Sequence, residues 1–194
     1  MSGHMSETLI YSRIVATHPM TNSYNKGAFL GNLVKRAFDI LIASLGLMLG
    51  APFFIYVALR IKRDSVGPVF YRGARVGRGG KDFQILKFRT MYERPESYQG
   101  PRVTAQGDPR ITPYGKWLRD TKLNELPQLW NVLKGEMSLV GPRPEDPHIV
   151  DGWPEDVRRE VLSVRPGITS PASVIYRNEE GLLQNEQVMD LYVS

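Results

Sequence analysis

The chain contains no cysteine and only three histidines among its 194 residues. The absence of cysteine excludes disulfide cross-links and thiolate metal sites, and it is compatible with a reducing compartment. Internal repeats and low-complexity tracts are also missing, and beyond one long apolar run no further membrane-spanning stretch is found. The length therefore suits one folded domain with one membrane element.

The apolar run extends from Ala37 to Leu59, which is long enough to cross a bilayer, since about 20 residues suffice. Pro52 interrupts this run, because proline lacks an amide hydrogen and disfavours helical angles at Ala51 before it. Two geometries follow, a kinked helix that crosses the membrane and a re-entrant helix with both ends on one face. Basic residues favour the cytoplasmic side, and they flank both ends: Lys35, Arg36, Arg60, Lys62 and Arg63. We therefore predict the re-entrant form.

Positive charge is concentrated behind the apolar run, in a chain whose net charge is +5. Between positions 60 and 89, only Asp64 and Asp82 oppose the basic residues Arg60, Lys62, Arg63, Arg72, Arg75, Arg78, Lys81, Lys87 and Arg89. This cluster favours anionic lipid headgroups or phosphate-bearing ligands. Nucleic acid is the competing partner, but the sequence has no helix-turn-helix or aromatic-interleaved basic pattern. Within the apolar run, Asp39 must be paired or lie at the interface.

The remaining sequence predicts an α/β fold that is mostly helical with a small β-hairpin. Two β-prone runs surround a Gly-rich turn at residues 77–80, which is typical of a hairpin. Broken helical periodicity follows from Tyr114 to Leu133, and residues 155–164 and 178–192 are candidates for short helices. Asn124 is a good helix N-cap, and Pro127 is tolerated in the first turn. We therefore expect Glu125 at a helix N-terminus, where negative charge is favoured.

Three runs follow the Pro-interrupted segment in order: Lys87-Phe-Arg-Thr-Met91, then Asn124-Glu-Leu-Pro-Gln128 continuing to Gly141-Pro-Arg-Pro144, then Val164-Arg-Pro-Gly-Ile-Thr169. Together these runs resemble the bacterial sugar transferase family, the monotopic phosphoglycosyl transferases, over roughly residues 35–177. The resemblance implies transfer of a sugar-1-phosphate from a UDP-sugar to polyprenol phosphate with release of UMP. It places this reaction at the first membrane step of surface polysaccharide or glycoconjugate assembly. It also implies a helix break at Ala51 and Pro52.

By the same resemblance, Asn124 and Glu125 occupy the catalytic pair and are the implied ligands of Mg²⁺. Arg119, Arg143 and Arg165 match positions assigned to substrate phosphates or the nucleotide. Guanidinium groups bind such oxygens bidentately. Lys87 is a further substrate-binding candidate, and for Lys87 and Arg89 the alternative is contact with anionic lipid.

The family has Asp before Glu in the catalytic pair, where this chain has Asn124. An amide is a poor nucleophile and a weak ligand for a hard cation. Three explanations are open: a substitution that traps a complex, a subfamily in which Glu125 is the nucleophile, and a non-catalytic nucleotide-sugar-binding or scaffold relative. A second departure, Ser170-Pro171 in place of Gly-Trp, leaves the sugar unassigned.

Three segments are predicted, with residues 1–32 as a tag remnant and N-terminal segment, 33–63 as the re-entrant membrane helix and 64–194 as the cytoplasmic catalytic domain. The expected location is the cytoplasmic face of the inner membrane, where UDP-sugar, polyprenol phosphate and anionic lipids meet. Relatives usually continue beyond the position of Ser194, so the resemblance implies either a shortened chain or a chain whose missing part is supplied elsewhere. The sequence leaves a homodimer open.

Overall fold

The computed structural model describes residues 26–95, 97 and 107–170. Its elements in chain order are helix α1 (Lys26–Asp64), strand β1 (Phe70–Val76), a 3-10 turn (Arg78–Gly80), strand β2 (Asp82–Phe88), helix α2 (Pro113–Asp120), a 3-10 turn (Leu123–Glu125), helix α3 (Gln128–Lys134), strand β3 (Ser138–Val140), helix α4 (Pro147–Asp151), helix α5 (Glu155–Val161) and strand β4 (Gly167–Thr169). The predicted mixed α/β fold with a long apolar N-terminal helix is confirmed. The helix predicted at 178–192 and the segment before residue 26 lie outside the described residues.

Strands β1 and β2 form the predicted antiparallel hairpin. Gly79 and Gly80 in its turn have φ angles of 71° and 75°, in the left-handed region that glycine adopts without strain. Phe83 and Ile85 alternate along β2 and are buried. The hairpin therefore packs one face on the helices, as period-two alternation requires.

Strands β3 and β4 form a parallel pair that the sequence did not predict, with Ser138 opposite Gly167 and Val140 opposite Thr169. Gly141 and Gly167 approach closely, and a Cβ on either would collide with the backbone of the other. Three-residue strands are too short to produce a recognisable alternation. Their pairing places the segment that leads to Arg143 beside the segment that follows Arg165.

Helix α1 packs against the rest of the protein on both sides of its midpoint. Ala43, in its first half, belongs to a buried cluster with residues of β2 and α3. Val57 and Ile61, in its second half, join Phe88 and Leu118 in another cluster. The helix also exposes many large apolar side chains, namely Leu30, Leu33, Val34, Phe38, Ile40, Leu41, Ile42, Leu45, Met48, Leu49, Ile55, Tyr56 and Leu59.

Asp39 is buried in α1, and its charge is paired as the sequence requires. One carboxylate oxygen accepts hydrogen bonds from Ser138 Oγ at 2.8 Å and Lys35 Nζ at 3.2 Å. The other accepts the backbone N–H of Leu139 at 3.2 Å. Two of these donors lie on β3, so Asp39 attaches the first half of α1 to that strand.

Ala51 and Pro52 lie inside α1, which continues through them. Helix α1 is longer than the helix predicted over residues 33–63. It is also not interrupted at the predicted break. A proline removes one backbone hydrogen bond and crowds the preceding turn, but α1 is packed on both sides of this position, which keeps it helical. The re-entrant geometry stays a prediction.

Candidate active site

Lys87 and Glu125 form an ion pair between the hairpin and the turn that precedes α3. The distance from Lys87 Nζ to Glu125 Oε1 is 2.7 Å, and the side chains are 21% and 28% exposed. Lys87 lies near the end of β2, and Glu125 closes the 3-10 turn (Leu123–Glu125). Two residues from separate predicted motifs are thus in direct contact, in a partly solvent-accessible place.

The electrostatic surroundings keep the carboxylate of Glu125 charged. Burial raises the pKa of Glu125, but the charge and hydrogen bond of Lys87, with the charge of Arg143, outweigh burial and lower it below its ordinary value. Burial also disfavours the charged form of the Lys87 amine and so lowers its pKa, against the opposing attraction of Glu125. Arg143 and Arg75 lower the pKa of Lys87 further by repulsion. The site therefore gathers cations around an ionised carboxylate.

Arg143 and Arg75 are held only loosely by carboxylates of their own. Arg143 Nε lies 3.8 Å from Glu145 Oε1, and the arginine side chain is 62% exposed. Arg75 Nη1 lies 3.7 Å from Asp146 Oδ2. Both distances exceed hydrogen-bond length. Arg75 Nη1 also donates a hydrogen bond to the backbone oxygen of Ala74 at 2.6 Å. The carboxylate neighbours of both guanidinium groups can still be exchanged for the phosphate oxygens of a substrate.

Arg75 lies near the site, although the sequence placed it only in the basic cluster and not among the substrate-binding candidates. The hairpin register pairs Arg75 with Phe83 and Tyr71 with Lys87, so Arg75 and Lys87 lie on the same face of the hairpin. This relation follows from the predicted hairpin once its register is known. In the sequence, the spacing of Arg75 and Lys87 from the Gly-rich turn between them is what indicates that they share a face.

Asn124 does not cap a helix, contrary to the expectation. Helix α3 begins at Gln128 after Pro127, which supplies no side-chain cap. Asn124 lies within the preceding 3-10 turn, and its backbone is therefore not extended as an N-cap requires. Its Oδ1 is buried and has no hydrogen-bond partner among the described residues.

This oxygen, next in sequence to the Glu125 carboxylate, fits a role as a Mg²⁺ ligand. Mg²⁺ is usually bound through one or two carboxylates, substrate phosphates and water, and an amide oxygen is a weaker ligand. Within the ranges that the structure describes, no group of three or more His, Asp or Glu side chains could hold a metal ion by itself. Asn124 and Glu125 therefore fit a metal that binds together with a phosphorylated substrate.

Arg165 and Arg119 are positioned by other neighbours. Arg165 Nε donates a hydrogen bond to the backbone oxygen of Gly135 at 2.9 Å. Burial lowers the pKa of Arg165, and the positive charges of Arg78 and Arg36 lower it further. Arg119 lies in the last turn of α2. Its charge helps to lower the pKa of Asp108. The substrate-binding roles predicted for both arginines stay predictions.

The alternative in which Arg89 faces anionic lipid is wrong. The side chain of Arg89 is buried, and its guanidinium donates to the backbone oxygens of Ser65 and Val66. These carbonyls follow the C-terminus of α1, where cationic groups are favoured. Arg89 therefore fixes the end of α1 against β2.

Residues 30–194 match the family described as "Bacterial sugar transferase". Similar proteins include a UDP-N-acetylgalactosamine-undecaprenyl-phosphate N-acetylgalactosaminephosphotransferase of Aeromonas hydrophila, which is 42% identical over 74% of this chain and 34% of its own length. An undecaprenyl-phosphate glucose phosphotransferase of Komagataeibacter xylinus is 44% identical over 73% of this chain and 28% of its own length. The exopolysaccharide production protein ExoY of Rhizobium meliloti (strain 1021) is 38% identical over 77% of this chain and 72% of its own length.

The chain thus spans about a third of the length of the first two relatives and most of the third. The family match includes all the described side chains of the site, from Lys87 on β2 to Arg165 before β4. The matched range includes all three sequence runs. The chain belongs to the bacterial sugar transferase family.

Proposed function

We propose that this protein transfers a sugar-1-phosphate from a UDP-sugar to a polyprenol phosphate and releases UMP, as an initiating step of surface polysaccharide assembly. The observation that supports this most is the ion pair of Lys87 with the ionised Glu125, with the charge of Arg143 acting on both residues and that of Arg75 acting on Lys87. A diphosphate and a second phosphate bring negative charge to one place, and Arg75 and Arg143, whose carboxylate neighbours lie beyond hydrogen-bond distance, can receive it. The Aeromonas and Komagataeibacter relatives are named as transferases that act with undecaprenyl phosphate.

The reaction that we propose has two displacement steps at one phosphorus atom. A carboxylate of the catalytic pair bonds to the β-phosphorus of the UDP-sugar, and the bond to the bridging oxygen breaks, so that UMP leaves with the electron pair. A phosphate oxygen of polyprenol phosphate then bonds to that phosphorus, and the carboxylate leaves. Lys87, Arg75 and Arg143 bind and orient the phosphate oxygens in both steps. Mg²⁺, when bound, neutralises charge on the diphosphate.

In this chain only Glu125 supplies a carboxylate at the pair, because residue 124 is an amide. We therefore expect Asn124→Asp to raise the rate of UMP release by about tenfold or more, since it adds a nucleophile and a charged metal ligand. The measurement is UMP release with Mg²⁺ and undecaprenyl phosphate across several UDP-sugars. The matched control is Asn124→Asp combined with Glu125→Gln, which we expect to lose the gain. Absence of UMP from both the parent chain and Asn124→Asp would contradict the proposed activity.

A second candidate function is a non-catalytic relative that binds nucleotide-sugar, and Asn124 favours it. In that case the parent chain and the Asn124→Asp variant would bind UDP-sugar with similar affinities. Neither protein would release UMP. Equilibrium binding of UDP-sugar, measured beside the UMP assay, therefore separates an enzyme from a binding protein.

We also propose that α1 is re-entrant through a kink at Pro52, which bends the helix without ending it, and that the catalytic part lies on the cytoplasmic face. A crossing segment needs about 30 Å of helix in hydrocarbon. The contacts of Asp39 with β3 and of Ile61 with Leu118 lie on opposite sides of Pro52, so both halves of α1 adjoin the same folded part. Lys62 and Arg63 in the last turn of α1 suit anionic headgroups on that face.

A further inference from the structure

We propose that Asn131 is a positioning residue, which sets the distance between Lys87 and Glu125 by joining α3 to the free edge of β2. This inference rests on the proposed function, because it concerns the site at which that reaction would occur. Asn131 belongs to none of the residues that the sequence motifs single out for chemistry. Its side chain is only 1% exposed, which makes its hydrogen bonds necessary for the fold.

The side-chain amide of Asn131 replaces a neighbouring strand. In the part of the chain that the structure describes, β2 pairs with β1 along one edge only. On the other edge, Asn131 Oδ1 accepts the backbone N–H of Leu86 at 3.0 Å, and Asn131 Nδ2 donates to the backbone oxygen of Gln84 at 2.8 Å. One acceptor and one donor in a fixed plane match what a peptide group offers. The amide therefore fixes the position of α3 along β2 as well as its distance from the strand.

A third hydrogen bond holds the amide in this orientation. Asn131 Nδ2 also donates to Glu136 Oε2 at 2.7 Å. In the flipped orientation, the amide NH₂ would face the N–H of Leu86, and the amide oxygen would face the carbonyl of Gln84 and the carboxylate of Glu136. Each contact would then join two donors or two acceptors. The amide thus has one favourable orientation.

The contact between Asn131 and β2 lies close to Lys87 on one chain segment and to Glu125 on the other. Leu86 directly precedes Lys87 on β2, and only Leu126 and Pro127 separate Glu125 from α3. The ion pair of 2.7 Å and the amide contact therefore bridge the same two segments. A change in the amide contact moves β2 relative to α3, and with it the amine of Lys87 relative to the carboxylate of Glu125.

An apolar residue at position 131 would fill the same space but could not set this position. It would leave the N–H of Leu86 and the oxygen of Gln84 without their protein partner. Hydrophobic contacts are not directional, so the strand could shift along the helix. A displacement of about 1 Å at a reacting group can reduce a rate by about 100-fold. Asn131 therefore serves positional accuracy in addition to stability.

The test uses the full chain with Asn124→Asp as the parent, compared with the same protein carrying Asn131→Asp, Asn131→Ala or Val132→Ala. Asn131→Asp preserves the side-chain volume and the acceptor for Leu86, but it removes both donors. Val132 is fully buried on the same helix, so Val132→Ala is a matched control for lost stability. We expect both Asn131 variants to lower kcat for UMP release by about 10- to 100-fold. We expect the KM for UDP-sugar to change less than kcat, because Arg75 and Arg143 still contribute to substrate binding when Lys87 is displaced. We expect Val132→Ala to lower the thermal midpoint and leave kcat near that of the parent.

Two further measurements separate positioning from loss of folding. Hydrogen exchange at the amide of Leu86 should accelerate in Asn131→Ala and stay slow in Val132→Ala at a temperature where both are folded. Combining Asn131→Ala with Lys87→Ala should lower kcat no further than Lys87→Ala alone, if Asn131 acts through Lys87. Equal losses of kcat and thermal midpoint in the Asn131 and Val132 variants, or fully additive losses with Lys87→Ala, would overturn the positioning role while the transferase activity stands. Absence of UMP from the Asn124→Asp parent would overturn the proposed function and, with it, the role of Asn131.

Discussion

Individual residues of the site differ in how much of their role the sequence reveals. The family motifs single out Lys87 and Glu125 separately, but their contact at 2.7 Å depends on how β2 docks on the turn before α3. Asn124 is a residue type that often caps helices, yet it lies within the 3-10 turn (Leu123–Glu125), where its backbone conformation is not that of an N-cap. The family motifs therefore indicate which residues matter here, and tertiary packing decides what each of them contacts.

Asp108 offers a test of electrostatics at the residue scale. Its hydrogen bond with Arg110 lowers the pKa of the Asp108 carboxyl below the ordinary 3.8, although burial opposes this. The two distances from Arg110 Nε to the carboxylate oxygens are 2.9 and 3.0 Å. Because the folded-state pKa is lower than the unfolded-state pKa, the stabilisation is present above pH 3.8 and is lost as the pH falls through the folded-state value.

We therefore expect Asp108→Asn to reduce stability at pH 7 by about 1–3 kcal/mol, which is typical of a lost charge-assisted hydrogen bond. The difference from the parent should shrink as the pH is lowered below the ordinary value of this carboxyl. Thermal midpoints in detergent at several pH values provide the measurement. The exposed carboxylate of Asp151 provides the control, and Asp151→Asn should leave the midpoint nearly unchanged. A loss at Asp108 that stays constant with pH would contradict the ion-pair explanation.

At the scale of secondary-structure elements, segments of seven residues or more with a clear hydrophobic pattern were predictable, and the three-residue strands were not. The apolar helix, the hairpin and helix α5 (Glu155–Val161) follow from hydrophobic pattern and turn residues. The parallel pair β3–β4 has strands of three residues, and its partners are far apart in sequence. Such pairing depends on the approach of Gly141 and Gly167, which a single-sequence pattern does not encode.

Asp39 makes the attachment of α1 to β3 testable. Asp39→Ala should destabilise the fold by about 1–3 kcal/mol, because it removes the acceptor of Ser138 Oγ and of the N–H of Leu139, whereas the half-exposed Lys35 can be solvated. Asp39→Asn should cost less, since its Oδ1 still accepts a hydrogen bond. Thermal midpoints and protease resistance of detergent-solubilised protein measure both variants. Equal losses for Asn and Ala would mean that the charge, rather than the hydrogen bonds, holds this attachment.

At the scale of the whole molecule, the orientation of α1 decides on which side of the membrane the site lies. The absence of cysteine from the chain allows single-cysteine variants without background labelling. Asn32→Cys and Arg63→Cys place one thiol near each end of the apolar run. For a re-entrant helix, a membrane-impermeant thiol reagent should label both positions from the cytoplasmic side of inverted vesicles and neither from the opposite side. Labelling of the two positions from opposite sides would establish a crossing helix.

The distribution of Ala43, Val57 and Ile61 over two buried clusters has a practical consequence for protein production. If the chain is shortened to begin after α1, each cluster loses the α1 residues that cover it. Phe83, Phe88 and other apolar side chains then become exposed to water. A trimmed version would be expected to aggregate instead of yielding a soluble enzyme. Preparations of this protein therefore need amphiphiles that shield the exposed apolar side chains of the whole helix. Helix α1 thus supports the fold of the rest of the protein in addition to its role at the membrane.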